Sequence, residues 1–128
     1  MSIHQEVTIE ASHAAIYGVL TTSDDFARMT GGRAASIARD VGGAVSLFGG
    51  DIEARNVELK PGKRVVQAWR SKAWPEGVYS IVRFELMPAG KGTKLVFDQA
   101  GHPAEAQAML EGGWSKMYWE PMQAMLKA

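Results

Sequence analysis

The side chains with the most chemical reach in this sequence are aromatic and thioether rather than titratable. Phe48, Trp69, Phe84, Phe97, Trp114, Met117, Tyr118 and Met122 recur at spacings that let them point into one space, with Trp74 close by. Four of the seven methionines fall between Met109 and Met125, and thioethers make soft, adaptable walls. Such a set has two readings. It packs as an ordinary core, or it lines a cavity for an apolar ligand. Gln67, Arg70 and Gln99 are strand residues that would orient such a ligand if they face inward; a one-residue slip turns them outward. Arg70 has the alternative of pairing with Glu120 or another surface carboxylate.

Titratable groups offer less. His4, His13 and His102 have no metal-motif spacing and read as solvated or capping imidazoles. His102, at a strand-to-helix corner, is the one expected near an end of the groove. Asp24 and Asp25 fit a helix start, whereas Glu53, Glu58, Glu85 and Asp98 fit outward strand positions. No nucleophile elbow, P-loop or dinucleotide fingerprint is present, so no catalytic residue is assigned. For an enzyme, Tyr79, Tyr118 and His102 would be the residues to test first. Gly42-Gly43 and Gly49-Gly50 fit tight turns with positive φ better than a phosphate cradle.

At 128 residues the chain predicts one domain over 1–128. Its 14 Lys and Arg balance 14 Asp and Glu, which gives no electrostatic case for nucleic acid or an anionic membrane. The absence of cysteine excludes disulfides and thiolate metal sites; no metal and no cofactor are expected. The start, MSIHQEVTIEAS, has neither the basic nor the apolar region of a signal peptide. No apolar run approaches the ~20 residues of a membrane span. These features predict a soluble, cytoplasmic protein.

The elements that must position the aromatic set follow from periodicity. Ile3 to Glu10 alternates as a strand with Ile3, Gln5, Val7 and Ile9 on one side. Ser12 caps a short helix carrying Ile16, Val19 and Leu20, and Thr22 or Ser23 caps a second carrying Phe26 and Met29. Short strands follow over Ala34–Arg39, Ala44–Phe48, Asp51–Leu59, Val65–Arg70, Val78–Met87 and Thr93–Gln99, with glycine and proline turns between them. From Pro103 the period becomes helical, through Ala106, Leu110, Trp114, Met117 and Met122. Gly112-Gly113 should weaken or kink this helix, and Pro121 should bend or end it. An α+β fold results, in which only the last helix is long enough to cover the sheet.

This order resembles the helix-grip fold of the START-like (SRPBCC) superfamily, which includes polyketide cyclases. GGAVSLFGGDI, ELKPGKRVVQAWRSKAWPEGVYSIVRFEL, GTKLVFDQAGHP and GGWSKMYWEPM resemble one of its subfamilies, the activator of heat-shock-protein-90 ATPase homologues. The pairing of W-R-x(3)-W-P-x-G from Trp69 with G-W-x(3)-Y-W from Gly113 carries that resemblance. It implies a curved antiparallel sheet of about seven strands wrapped on a long C-terminal helix, with two short helices after the first strand. With the gap such a fold leaves, the aromatic and methionine set predicts a small hydrophobic ligand between sheet and helix, held by Phe48, Trp69, Phe84, Phe97, Trp114, Met117, Tyr118 and Met122. The alternative is a protein-interaction module that stimulates a chaperone ATPase. A cyclase or hydrolase in the same cavity comes third, since no catalytic pair stands out. Monomer and homodimer both remain open, and Trp74, before Pro75, is expected at a rim or interface.

Overall fold

In the computed structural model, which describes residues 2–127, the strands and helices follow that order closely. Strands β1 (Ser2–Ile9), β2 (Ser36–Ile37), β3 (Ala44–Leu47), β4 (Ile52–Lys60), β5 (Arg64–Ser71), β6 (Ser80–Ala89) and β7 (Gly92–Ala100) form one sheet. Its order is β1-β7-β6-β5-β4-β3-β2, antiparallel throughout. Helices α1 (His13–Thr21) and α2 (Ser23–Met29) connect the two edge strands. The chain closes with α3 (Gln107–Trp114), a π-helical turn (Ser115–Trp119) and α4 (Glu120–Leu126).

Alternation decides which sheet face is covered. Along β6, Val82, Phe84 and Leu86 are buried while Ile81 and Arg83 are exposed. Along β7, Thr93, Leu95, Phe97 and Gln99 all point inward. In β4 the register shifts between Asn56 and Glu58, and such a bulge adds the local twist that curves a sheet around a helix. The inner face is then closed by α1, α2 and the C-terminal helices.

Local chemistry sets the boundaries. The Ser12 Oγ accepts the Ala15 N–H at 3.1 Å and caps α1. Ser23 makes no such cap; its Oγ accepts the Ile37 N–H at 2.8 Å and ties α2 to the short β2 edge. Strand β6 begins at Ser80, two residues later than its alternation predicts. Residues 72–79 are drawn off into a loop held by Arg70, described below.

The C-terminal helix departs from expectation in an instructive way. Gly112 and Gly113 lie within α3 without breaking it. The irregularity sits at Ser115–Trp119, where the Glu120 N–H reaches the Ser115 carbonyl five residues back. Pro121 explains it. Proline has no N–H for the Met117 carbonyl, and its ring would clash with that carbonyl in a regular helix. The chain widens by one residue to make room. Trp114, Tyr118, Trp119 and Met122 thereby all turn toward the sheet. Among the described residues no helix is long and apolar enough to cross a membrane.

Candidate functional site

A groove of about 200 Å³ opens between α3 and the β3–β4 connection. Trp69 of β5 and Trp114 and Tyr118 of the C-terminal helix line its inner end. Phe48 and Ile52 form one wall, and Leu110 and Gly113 the other. Met109 and Met117 stand at the lips, 72% and 39% exposed. Arg33 and Asp51 sit at the mouth, joined by an ion pair at 3.1 Å.

The Phe48 wall is held under strain. Phe48 has φ 52°, a left-handed backbone that a bulky L residue rarely adopts. Gly49 and Gly50 continue at φ 68° and 100°, so the turn is built where only glycine is comfortable. Arg33 steadies the strained residue twice. Its Nη2 donates to the Phe48 carbonyl at 3.0 Å, and its guanidinium lies 5.2 Å from the ring centroid. The ring itself packs edge-on against Phe26 and Tyr118, with centroids 5.4 and 5.9 Å away.

The inner end of the groove rests on a buried polar ladder. Trp114 Nε1 donates to Gln99 Oε1 at 2.8 Å. Gln99 Nε2 donates to Ser80 Oγ at 3.0 Å, and Ser80 Oγ donates to the Trp69 carbonyl at 2.8 Å. Two neighbouring polar atoms are left out of the ladder. Trp69 Nε1 and the Tyr118 hydroxyl are both buried beside one another and bond to no third group among the described residues. Burial pushes the Tyr118 phenol well above its ordinary value, so it stays protonated; the nearby Trp69 indole N–H pulls it only partway back. Tyr118 therefore keeps its proton, and no Asp, Glu or His among the described residues borders the groove except Asp51, at its mouth.

The predicted site residues divide between the two readings. Phe48, Trp69, Trp114, Met117 and Tyr118 border the groove. Phe84, Phe97 and Met122 are at most 1% exposed and pack beneath it. Phe97 lies under Trp114 with centroids 4.2 Å apart, which seals that side. Met117 borders the groove from its exposed lip rather than from within.

Several polar and aromatic positions differ from expectation. Trp74 is 9% exposed and packs on Trp69 with centroids 5.8 Å apart, so it belongs to the core rather than a rim. Arg70 is the cause. Its guanidinium donates to the carbonyls of Trp74 (2.8 Å), Pro75 (3.2 Å) and Val78 (3.2 Å), folding residues 72–79 over Trp69. Its carboxylate neighbour is Glu53 at 3.7 Å; Glu120 instead accepts from Ser115 Oγ at 3.1 Å. Gln67 and Gln99 do point inward, but they bond to Asn56 and to the ladder instead of lining the groove. His102 is buried against Gln107 and does not border the groove, and Tyr79 is 46% exposed. Among the described residues no three His, Asp or Glu side chains converge on a metal position.

Sequence reasoning missed Trp119, which lies 4% exposed and donates Nε1 to Gln5 Oε1 at 2.7 Å. A regular helix points a residue five beyond Trp114 away from the sheet; the signal that it turns inward is Pro121, two residues on. It also missed the mouth pair Arg33 and Asp51, which only the tertiary fold brings together, and Gly113, whose missing Cβ faces open space.

Comparison with known proteins places this architecture. The family model described as activator of Hsp90 ATPase homolog 1-like protein matches residues 10–127. The chain is 24% identical over 127 residues to mouse activator of 90 kDa heat shock protein ATPase homolog 2, covering 99% of this chain and 38% of that protein. It is 28% identical over 113 residues to human homolog 1, covering 88% and 33%. The chain thus spans about a third of the length of the curated relatives it matches. Among solved structures, an HSP90 activator from Plasmodium falciparum superposes with a TM-score of 0.93 at 23% identity, covering 98% of this chain and 96% of that one. The Aha1 dimer from Colwellia psychrerythraea gives 0.84 at 23%, covering 99% and 96%.

Proposed function

The chain belongs to the activator of Hsp90 ATPase homolog 1-like family, and from that premise we propose that the groove beside α3 binds a small apolar ligand. The observation that carries this reading is a ~200 Å³ space lined by Phe48, Trp69, Trp114 and Tyr118 and left open at Gly113. A dry apolar cavity of ~150 Å³ is large enough for benzene. Most sites for drug-sized ligands are larger, at ~300–1,000 Å³. The volume therefore favours one or two rings or a short acyl chain over a lipid. Affinity would come from apolar burial at ~25 cal/mol per Å², less the cost of ordering the ligand.

The test is thermal unfolding with ring-sized hydrophobic probes. A ligand at 100 times its Kd stabilises the folded state by ~2.7 kcal/mol, a readily measured rise in Tm. The variant Gly113→Leu places a side chain in the groove. Stabilisation of the wild type and none of the variant is the expected result. An unchanged wild type across the panel would sink the proposal.

A second reading is stimulation of a heat-shock-protein-90 ATPase. The names of the mouse and human relatives and of the Plasmodium structure favour it. An ATPase assay with the chaperone from the same source tests it, and Gly113→Leu separates the two. A filled groove removes ligand binding and leaves a contact made elsewhere intact. The enzyme reading has the least support, since Tyr118 is the one of its three candidates that borders the groove, and burial keeps its phenol protonated.

A further inference from the structure

We propose that the free edge of β1 joins two copies of this chain, each β1 pairing antiparallel with the other about a two-fold axis centred on Gln5. The two edges of the sheet are built differently. Strand β2 is two residues long and offers little to pair with. Strand β1 runs eight residues and carries no proline, lysine or bulge, the usual devices that blunt an edge.

Backbone alternation decides which of its groups are free. The Leu86 N–H donates to the Lys63 carbonyl at 2.8 Å, so the even-numbered residues of β6 bond toward β5. Carried through the β6–β7 and β7–β1 registers, Ile3, Gln5, Val7 and Ile9 bond to β7, and Ser2, His4, Glu6 and Thr8 turn outward. The Ser2 carbonyl agrees with this, accepting Gln107 Nε2 at 3.2 Å from outside the sheet. Among the described residues the other outward N–H and C=O groups of β1 have no partner in the chain. Beneath the edge, a groove of about 400 Å³ between Gln5–Val7 and the helix residues Ser115, Trp119 and Gln123 leaves that flank open.

The side chains choose a second copy, in one register. With Gln5 opposite the partner's Gln5, His4 faces the partner's Glu6 and Ser2 faces the partner's Thr8, twice over by symmetry. Each of these pairs turns its free groups inward and exchanges two backbone hydrogen bonds. Protonated His4 opposite a carboxylate is a favourable cross-strand pair. On the helix side, Ile3 meets the partner's Val7, which is only half-buried in the single chain. Sliding the pairing two residues either way sets His4 against the partner's His4, or Glu6 against the partner's Glu6, and like charges directly opposite destabilise. A one-residue slip sets outward amides against amides turned to β7. An unrelated strand would find the same amides without this self-complementary order of charge.

Sedimentation equilibrium from micromolar to millimolar chain, at low salt and about pH 6 so that histidine is charged, should show a monomer–dimer equilibrium. Thr8→Pro removes an outward N–H and leaves the β7 ladder intact, a placement that an edge strand tolerates. It should weaken the dimer about tenfold or more while the monomer keeps its Tm. If that variant does not fold, Glu6→Lys tests the same joint with the backbone unchanged. It sets like charges across the axis and should weaken association about three- to thirtyfold. The chain has no cysteine of its own. Gln5→Cys should therefore oxidise to a disulfide-linked dimer, because Cα atoms of a non-hydrogen-bonded pair lie about 4.5 Å apart. Ile81→Cys, exposed on the outer sheet face, should not. A chain that stays monomeric at millimolar concentration would overturn the proposal. So would a dimer that keeps its affinity in the folded variants, or one that cross-links through Ile81→Cys and not Gln5→Cys. Deuterium exchange in β1 that slows with an unrelated extended peptide, but not with chain concentration, would assign the edge to another protein's strand and equally overturn it.

Discussion

Trp114 hands its indole proton to the side-chain oxygen of Gln99 at 2.8 Å, and the two residues are 2% and 1% exposed. The helix that covers the sheet is thus fastened to it by a neutral hydrogen bond inside the core. Gln99→Leu keeps the approximate volume and leaves both Trp114 Nε1 and Ser80 Oγ short of a partner. An orphaned buried group costs about 1–3 kcal/mol. Urea unfolding should show a loss in that range with the slope unchanged; a neutral result would mean that Trp114 finds another acceptor.

Arg70 holds three loop carbonyls and is 9% exposed. Hydrogen bonds to charged groups are worth about 1.5–3 kcal/mol. Arg70→Met should therefore destabilise by at least ~2 kcal/mol and free residues 72–79 from Trp69. Limited proteolysis should cut within 72–79, and tryptophan emission should shift to the red as Trp74 meets water. Resistance to cleavage would show that the loop stands without its arginine.

Gly112 and Gly113 occupy helical positions whose added Cβ meets nothing within 4 Å. Alanine in a helix interior is favoured over glycine by about 0.8–1 kcal/mol. Gly112→Ala and Gly113→Ala should each raise the melting temperature by a few degrees. Only Gly113→Ala narrows the groove, because only Gly113 borders it. A fall in Tm for either would contradict the open space found beside α3.

His4 lies on β1 between Asp98 (2.7 Å) and Glu6 (2.9 Å), and those hydrogen bonds, Asp98 first, raise its pKa above 6.5. Arg83 and Lys94 complete the cluster from β6 and β7. Partial burial works against ionisation of Asp98, but hydrogen bonds from His4 and Arg83 hold its carboxyl below the usual range. His4 binds its proton more tightly in the folded chain. Its contribution is therefore fully present below pH ~6.5 and is lost as pH rises through the folded value. The His4 NMR titration should have its midpoint above 6.5, and His4→Gln should flatten the decline in stability over that window. The site is solvent-exposed, so added salt should shrink the effect.

The fold was legible because its signals are local and periodic. Alternation in Val82–Leu86 and Leu95–Phe97, the Ser12 cap and the glycine turns each act within a few residues. The site was half legible. Spacing identified Phe48, Trp69, Trp114 and Tyr118 as inward side chains, yet it cannot tell a groove wall from a sealed layer. Phe84 and Phe97 lie behind Trp114 for reasons of sheet curvature, which no spacing reports. Arg33 and Asp51 meet across 18 positions, and Arg70 bends a loop back over its own strand. Both are decided by tertiary geometry.

The widened turn at Ser115–Trp119 has an arithmetic that concerns insertions and deletions. Each α-helical residue advances about 100°, so the eight steps from Trp114 to Met122 would leave Met122 some 80° out of alignment in a regular helix. With one residue absorbed in the π turn, the advance is nearer seven steps, about 20° from two full turns. Met122 stays on the face of Trp114, 0% exposed. A chain that lost one residue between 115 and 119 and carried a residue other than proline at 121 would form a regular helix and keep its inner face in phase. A single-residue loss at Glu120, with the π turn left in place, would instead rotate Met122 about 100° away from the face of Trp114. The helix has one place where its length is negotiable, and it lies next to the tyrosine at the end of the groove.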